Sequence, residues 1–220
     1  MRKIKLIAVI FVGVIIFSCS FFAFIQSRQN KLADNLPDES FGWKFPVAKF
    51  SLPIPGEDLL AYSNIRISSL PQGLPVRLKI PVIGVDALIE DALITPDGRM
   101  DVPANSVNVA WFALGPHPGD VGSAVVGGHY GIKNNVPFVF YNLDKLAVGD
   151  KVYIINDKNQ TIAFQVRSIK LFNQNADATT VFTSSDGLAH LNLITCEGIW
   201  NKINNSYPER RVVFTDLVSN

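Results

Sequence analysis

Cysteine is nearly absent from this chain of 220 residues: only Cys19 and Cys196 occur. Two such positions cannot make the framework of a small disulfide-stapled domain. Charge of one sign is lacking too. The 20 basic and 19 acidic side chains leave a net charge of +1, so the chain as a whole carries no basic footprint for nucleic acid. Long hydrophobic runs are limited to one, which excludes a multi-span transporter. Internal repeats, low-complexity tracts, a phosphate-cradling glycine loop, zinc-ligand spacings and a dinucleotide fingerprint are all missing. Regular helical periodicity is scarce as well.

What is present begins with residues 6–25, which carry no charge and only three residues that are not apolar, Gly13, Ser18 and Ser20. At about 1.5 Å rise per residue, such a run matches the ~30 Å hydrocarbon core of a bilayer. Arg2, Lys3 and Lys5 precede it, so the positive-inside rule predicts residues 1–5 in the cytoplasm and everything after residue 25 outside. A cleaved signal peptide is the rival. Its apolar region usually ends at a small-x-small site, whereas this run passes into Phe21-Phe22-Ala23-Phe24. The expectation is a single-pass anchor over 6–25, a Pro-interrupted stalk over 26–74 and a folded extracytoplasmic domain over 75–220. Cys19 falls in the span, which leaves Cys196 as the one thiol of the exported part. Exported proteins normally pair their cysteines or do without them, so this thiol is either a small core residue or a reactive group.

From Pro75 onward the texture changes to short β-branched runs between turn residues. Strands are expected over 76–80, 85–94, 100–102, 123–126, 151–156, 161–171, 191–195 and 210–218. A turn is expected over 95–98 and a hairpin tip over 156–159; short helical pieces are expected within 136–146 and 179–184. Such a pattern predicts an all-β fold, a closed antiparallel or mixed β-barrel of about eight strands with short helices.

Three positions could carry chemistry. His129 follows the apolar run 123–126 and two glycines, where a strand end presents a side chain. Cys196 ends a segment whose alternation puts Asn192, Ile194 and Cys196 on one face. Arg210 and Arg211 open the last strand and must point to opposite faces, so only one can join a site there. A turn histidine, a packed cysteine and two solvated arginines account for the same residues equally simply.

Asn192-Leu193-Ile194-Thr195-Cys196 resembles the Thr-Leu-X-Thr-Cys motif of the sortases, membrane-anchored cysteine transpeptidases, with Asn192 in place of the leading Thr. Gly128-His129 and Arg210 resemble the other two functional positions of that family, in the same chain order. Leu78-Lys79-Ile80-Pro81, the segment Pro118 to Ser123 and Gly149-Asp150 extend the resemblance over about residues 75–218. The resemblance implies a sortase-like barrel with His129, Cys196 and Arg210 as catalytic residues; the residue spacings themselves call for neither cofactor nor metal. It implies as partners exported proteins bearing a C-terminal Leu-Pro-X-Thr-Gly-like sorting motif, and an amine acceptor such as a cell-wall precursor or a pilin lysine. The residue types suit these roles: a thiol of pKa about 8.5 needs a cationic neighbour to become a nucleophile. An imidazole then serves as general acid, and a guanidinium offers fixed donors to an oxyanion.

Competing readings are a non-enzymatic anchored β-module with an inert Cys196, and another extracytoplasmic Cys/His/Arg enzyme. An L,D-transpeptidase carries its cysteine in a Ser-X-Gly-Cys-like context, whereas Thr195 and Glu197 flank this one. Papain-like enzymes place Cys before His, the reverse of this chain. Of the remaining histidines, His190 is expected at an edge or surface, and His117 within a constrained structural loop. Glu90, Asp91, Asp186 and Glu197 lack the spacing of a calcium loop.

Overall fold

Residues 151–156 alternate between half-buried and buried positions, the period of a strand with one face against a core. The same logic repeats along the chain. A computed structural model describes residues 73–203 and 205–218. The strands are β1 (Pro75–Ile80), β2 (Val85–Ala92), β3 (Val109–Phe112), β4 (Gly122–Gly128), β5 (Ile132–Lys133), β6 (Val136–Pro137), β7 (Lys151–Asn156), β8 (Thr161–Asn173), β9 (Ala189–Glu197) and β10 (Glu209–Leu217). One short α-helix, α1, covers Thr179–Phe182, and 3-10 turns cover Pro81–Ile83 and Leu143–Lys145. The predicted span 6–25 and nearly all of the stalk lie outside the described residues. Among the described residues, no helix is long and apolar enough to cross a membrane.

Eight strands close into a barrel in the order β1-β2-β3-β4-β9-β10-β8-β7. The β2–β3 and β4–β9 pairs are parallel and the others antiparallel, so the barrel is mixed. Closure removes every sheet edge that would otherwise be exposed to pairing. The strands feed two cores. Inward side chains such as Leu78, Val109, Trp111, Val126, Ile154, Leu193 and Val213 fill the barrel. A second cluster lies on its outer face, where Ala110, Val125, Ile194, Val212 and Phe214 are covered by Met100, Val102 and the α1 residues Val181 and Phe182. Consecutive residues of β9 therefore pack in different cores, Leu193 inside and Ile194 outside, and the strand is buried on both faces.

Seven of the eight expected strands lie close to their expected positions; the eighth, 100–102, is not a strand. It makes an isolated bridge between Ile94 and Met100 and drops Met100 onto the outer cluster. The eighth barrel strand is instead β3. Its four residues are buried on both faces, so they show no alternation to distinguish them from any short apolar run. The β5–β6 hairpin also goes beyond the sequence expectation. Its turn is Asn134-Asn135, both at positive φ (52° and 63°), a conformation asparagine tolerates in two-residue hairpins. The turn over 95–98 forms as expected, closed by the Gly98 amide donating to the Thr95 carbonyl at 2.9 Å with Gly98 at φ 82°.

His190 corrects an expectation. Rather than sitting at the surface it is 3% exposed, with Nδ1 2.8 Å from Asp216 and Nε2 2.9 Å from Asp186. Asp216 also takes Arg167 Nε at 3.0 Å. The Leu188 amide, first, and then His190 hold the Asp186 carboxyl below its ordinary range. A depressed carboxyl stabilises the fold above its unfolded value of about 3.9, and that contribution fades as pH falls through the lower folded value. Asp186→Asn is therefore expected to lower Tm near neutral pH and to converge on the parent Tm as pH falls through the lowered folded-state value. A Tm series across pH checks this; a constant Tm difference down to the acid end would contradict it.

Candidate active site

Each of the three sequence-predicted residues stands at a strand end, and β-pairing decides where those ends meet. In the β9–β10 ladder Arg210 is the direct partner of Cys196. In the parallel β4–β9 ladder Gly127 is level with Ile194, so two residues further on His129 is level with Cys196. The Thr195 hydroxyl, which donates to the Gly128 carbonyl at 2.7 Å, extends the tie between these strands past the ladder. His129, Cys196 and Arg210 thus form one row across three adjacent strands, with neighbouring strands about 4.8 Å apart.

Alternation sets the face. Val125 on β4, Ile194 on β9 and Val212 on β10 all pack in the outer cluster. Residues an even number of positions further along each strand share that face, which assigns His129, Cys196 and Arg210 to the outer side of the barrel. Arg211 has the opposite parity, like the interior residue Val213. Its Nε donates to Glu197 Oε2 at 2.8 Å, and this bond raises the Arg211 pKa above its ordinary value against the opposing effect of burial.

Arg210 is held differently. It is 2% exposed, and its Nη1 donates to the carbonyls of Tyr207 at 2.9 Å and Glu209 at 2.8 Å. Its buried Nε has no hydrogen-bond partner, and no carboxylate pairs with it among the described residues. An unused donor on a buried cation costs stability unless something else takes it up. His129 and Cys196 are each 2% exposed as well, and Cys196 forms no disulfide. Charges in such surroundings act on one another more strongly than they would in water.

The imidazole is set by groups that the sequence does not single out. His129 Nε2 lies 3.0 Å from the carbonyl of Pro103 in the β2–β3 connection. A carbonyl only accepts, so Nε2 carries the proton in that bond. Phe138 meets the ring edge-on at 6.3 Å between centroids. Gly128 is required by packing: a Cβ there would come within 2.5 Å of the Phe140 ring, which is fully buried. Gly128→Ala is expected to destabilise the fold by about 1–3 kcal/mol and to shift His129 out of its row. Denaturant unfolding together with turnover checks this; unchanged stability would contradict it.

Beyond the row, Tyr130 stacks on Tyr141 and meets Tyr207 edge-on at 5.5 Å, while Tyr207 meets Trp200 at 5.0 Å. These rings join the segment after His129 to the loop after Cys196, and the same Tyr207 offers its carbonyl to Arg210. Aromatic residues directly following His129 and closely preceding Arg210 were the sequence signal for this wall. The four carboxylates weighed for cation binding have separate surroundings: Glu90 binds the β2–β3 connection, Asp186 His190 and Glu197 Arg211, while Asp91 is exposed. His117 lies in the loop between β3 and β4, against Trp111 at 4.8 Å between ring centroids. That loop enters β4 at the end away from His129.

A buried thiol, imidazole and guanidinium in one row suit nucleophilic acyl transfer. Known proteins agree with this assignment of class. A sortase-domain family model matches residues 78–218. No curated protein matches the chain by sequence. Among solved structures, a lid mutant of Streptococcus agalactiae sortase C1 is similar at 25% identity and TM-score 0.51, covering 66% of this chain and 68% of that one. Sortase A from Corynebacterium diphtheriae is similar at 21% identity and TM-score 0.51, covering 67% of this chain and 61% of that one. Sortase A from Listeria monocytogenes shares the fold at 17% identity and TM-score 0.51, covering 67% of this chain and 88% of that one. With the family model matching residues 78–218, well over half of the chain, the chain belongs to the sortase family of cysteine transpeptidases.

Proposed function

We propose that this sortase cleaves a Leu-Pro-X-Thr-Gly-like sorting signal near the C-terminus of exported proteins and passes the acyl group to an amine. Cys196 as thiolate attacks the carbonyl carbon of the scissile peptide bond. Arg210 donates to the resulting oxyanion, and His129 gives its proton to the departing amine as that C–N bond breaks. The acyl group is left as a thioester on Cys196. An incoming amine attacks the thioester, its proton goes to His129, and the Cys196 thiolate leaves. The acceptor class is a cell-wall precursor amine or a pilin lysine. The chain is held in the cell membrane by residues 6–25, with its N-terminus cytoplasmic and its barrel outside, where an exported substrate arrives.

One observation carries the reading: Arg210, paired in register with Cys196, keeps a buried Nε donor that no group among the described residues uses. An inert core cysteine in a binding module gives no reason for a buried, carboxylate-free cation beside it. The test incubates the full chain with peptides carrying the sorting motif and hydroxylamine as acceptor. A hydroxamate ending at the motif's threonine is expected; intact peptides across a panel of related motifs would contradict the proposal.

A further inference from the structure

We propose that Glu90 is a positioning residue for catalysis, acting on His129 through the loop that joins β2 to β3; the proposal rests on His129 serving in acyl transfer. Glu90 lies on β2, level with Ala110 of β3 and on the same outer side of the barrel. Its carboxylate is committed to that loop. Oε2 accepts the Ala104 amide at 2.8 Å, and Oε1 accepts the side-chain amides of Asn108 and, at 3.4 Å, Asn105. Asn105 Oδ1 in turn accepts the amides of Val107 and Asn108, which winds these residues around the carboxylate.

The residue beside this clamp is Pro103, whose carbonyl faces His129 Nε2 at 3.0 Å. Ala104, whose amide Glu90 holds, shares its peptide bond with that carbonyl, so fixing the amide fixes the plane of the acceptor. The loop is tied to the histidine's own segment a second time, through the Val139 amide donating to the Ser106 carbonyl at 2.8 Å. With the Nε2 proton held by Pro103, the neutral ring presents Nδ1 toward its other side. Glu90 thereby selects one tautomer and one ring orientation without touching the reacting atoms.

Among the described residues, the Glu90 carboxylate is what holds the Ala104 amide, so its loss frees that peptide plane. Glu90→Ala in the full chain is expected to lower kcat by about 10- to 100-fold with KM changed less than about threefold. Glu90→Gln keeps one acceptor oxygen and is expected to recover most of that loss. A spectroscopic readout separates positioning from general destabilisation. The chain has only three histidines, so 15N-histidine labelling with His129→Gln as the assignment control resolves the His129 ring. The parent protein is expected to show the Nε2–H tautomer in its neutral form, and Glu90→Ala a mixture of both. Should Glu90→Ala fail to fold, Asn108→Ala removes one strand of the clamp and is expected to shift the tautomer in the same direction. A pure Nε2–H signal and parent-like kcat in the folded variants would overturn the proposal. The ring signal also distinguishes failure of this idea from failure of the acyl-transfer reading, because it is measured without substrate.

Discussion

Cys196→Ala is expected to leave no acyl-enzyme and no measurable transfer of the sorting peptide, a loss of at least about 10⁴-fold. The sequence offers no substitute. The other cysteine, Cys19, lies within the apolar run 6–25, and no second thiol occurs in the barrel. Removing the sulfur removes the atom that forms the covalent bond, so neither the Arg210 donors nor His129 has an intermediate to act on. The three groups work as a unit, and their losses are not additive. The double variant Cys196→Ala with His129→Ala is therefore expected to be no slower than Cys196→Ala alone. Product formation followed by mass spectrometry checks both statements. Acyl-enzyme or transfer product from either variant would contradict the row as a single catalytic unit. Because the substitution removes a single heavy atom from a small side chain, Tm is expected to change little, so the effect reads on chemistry.

The second large effect separates two adjacent arginines. Arg210→Ala is expected to lower kcat by about 10²–10³-fold, the usual consequence of removing one oxyanion donor. Arg211→Ala is expected to stay within about threefold of the parent, because that guanidinium is committed to Glu197 on the opposite face. Arg210→Lys is expected to behave like the alanine variant, since an ammonium cannot both reach the Tyr207 and Glu209 carbonyls and offer the Nε donor. Steady-state kinetics on the three variants decides the matter. A large loss in Arg211→Ala with a small one in Arg210→Ala would reverse the face assignment.

How much of this is readable without coordinates differs by residue. β7 is legible to the residue, because Lys151 to Asn156 is a short run of strand-forming residues and a hairpin turn follows it. That Arg210 and Arg211 face opposite ways follows from strand parity alone, whereas the choice of Arg210 came from the resemblance; Cys196 follows from its position at the end of an alternating run. The roles of the three residues came from resemblance, not from spacing. β3 is hidden because its residues feed both cores at once. His190 is misread because its partners are set by folding: Asp216 is 26 residues away and reaches it only after β9 and β10 pair. Pro103 is hidden for the same reason, 26 residues from His129 and contributing only a main-chain oxygen that any residue possesses. Short-range pattern therefore locates the reactive side chains, whereas the groups that orient them are backbone atoms supplied by the closed barrel.

The most direct measurement is the intact mass of the full chain mixed with a sorting-motif peptide and quenched in acid, followed by peptide mapping. The account predicts an added mass equal to the N-terminal part of the peptide through its threonine, hydroxylamine-labile and located on Cys196. Transfer product accumulating while the Cys196 peptide stays unmodified at every time point would contradict it.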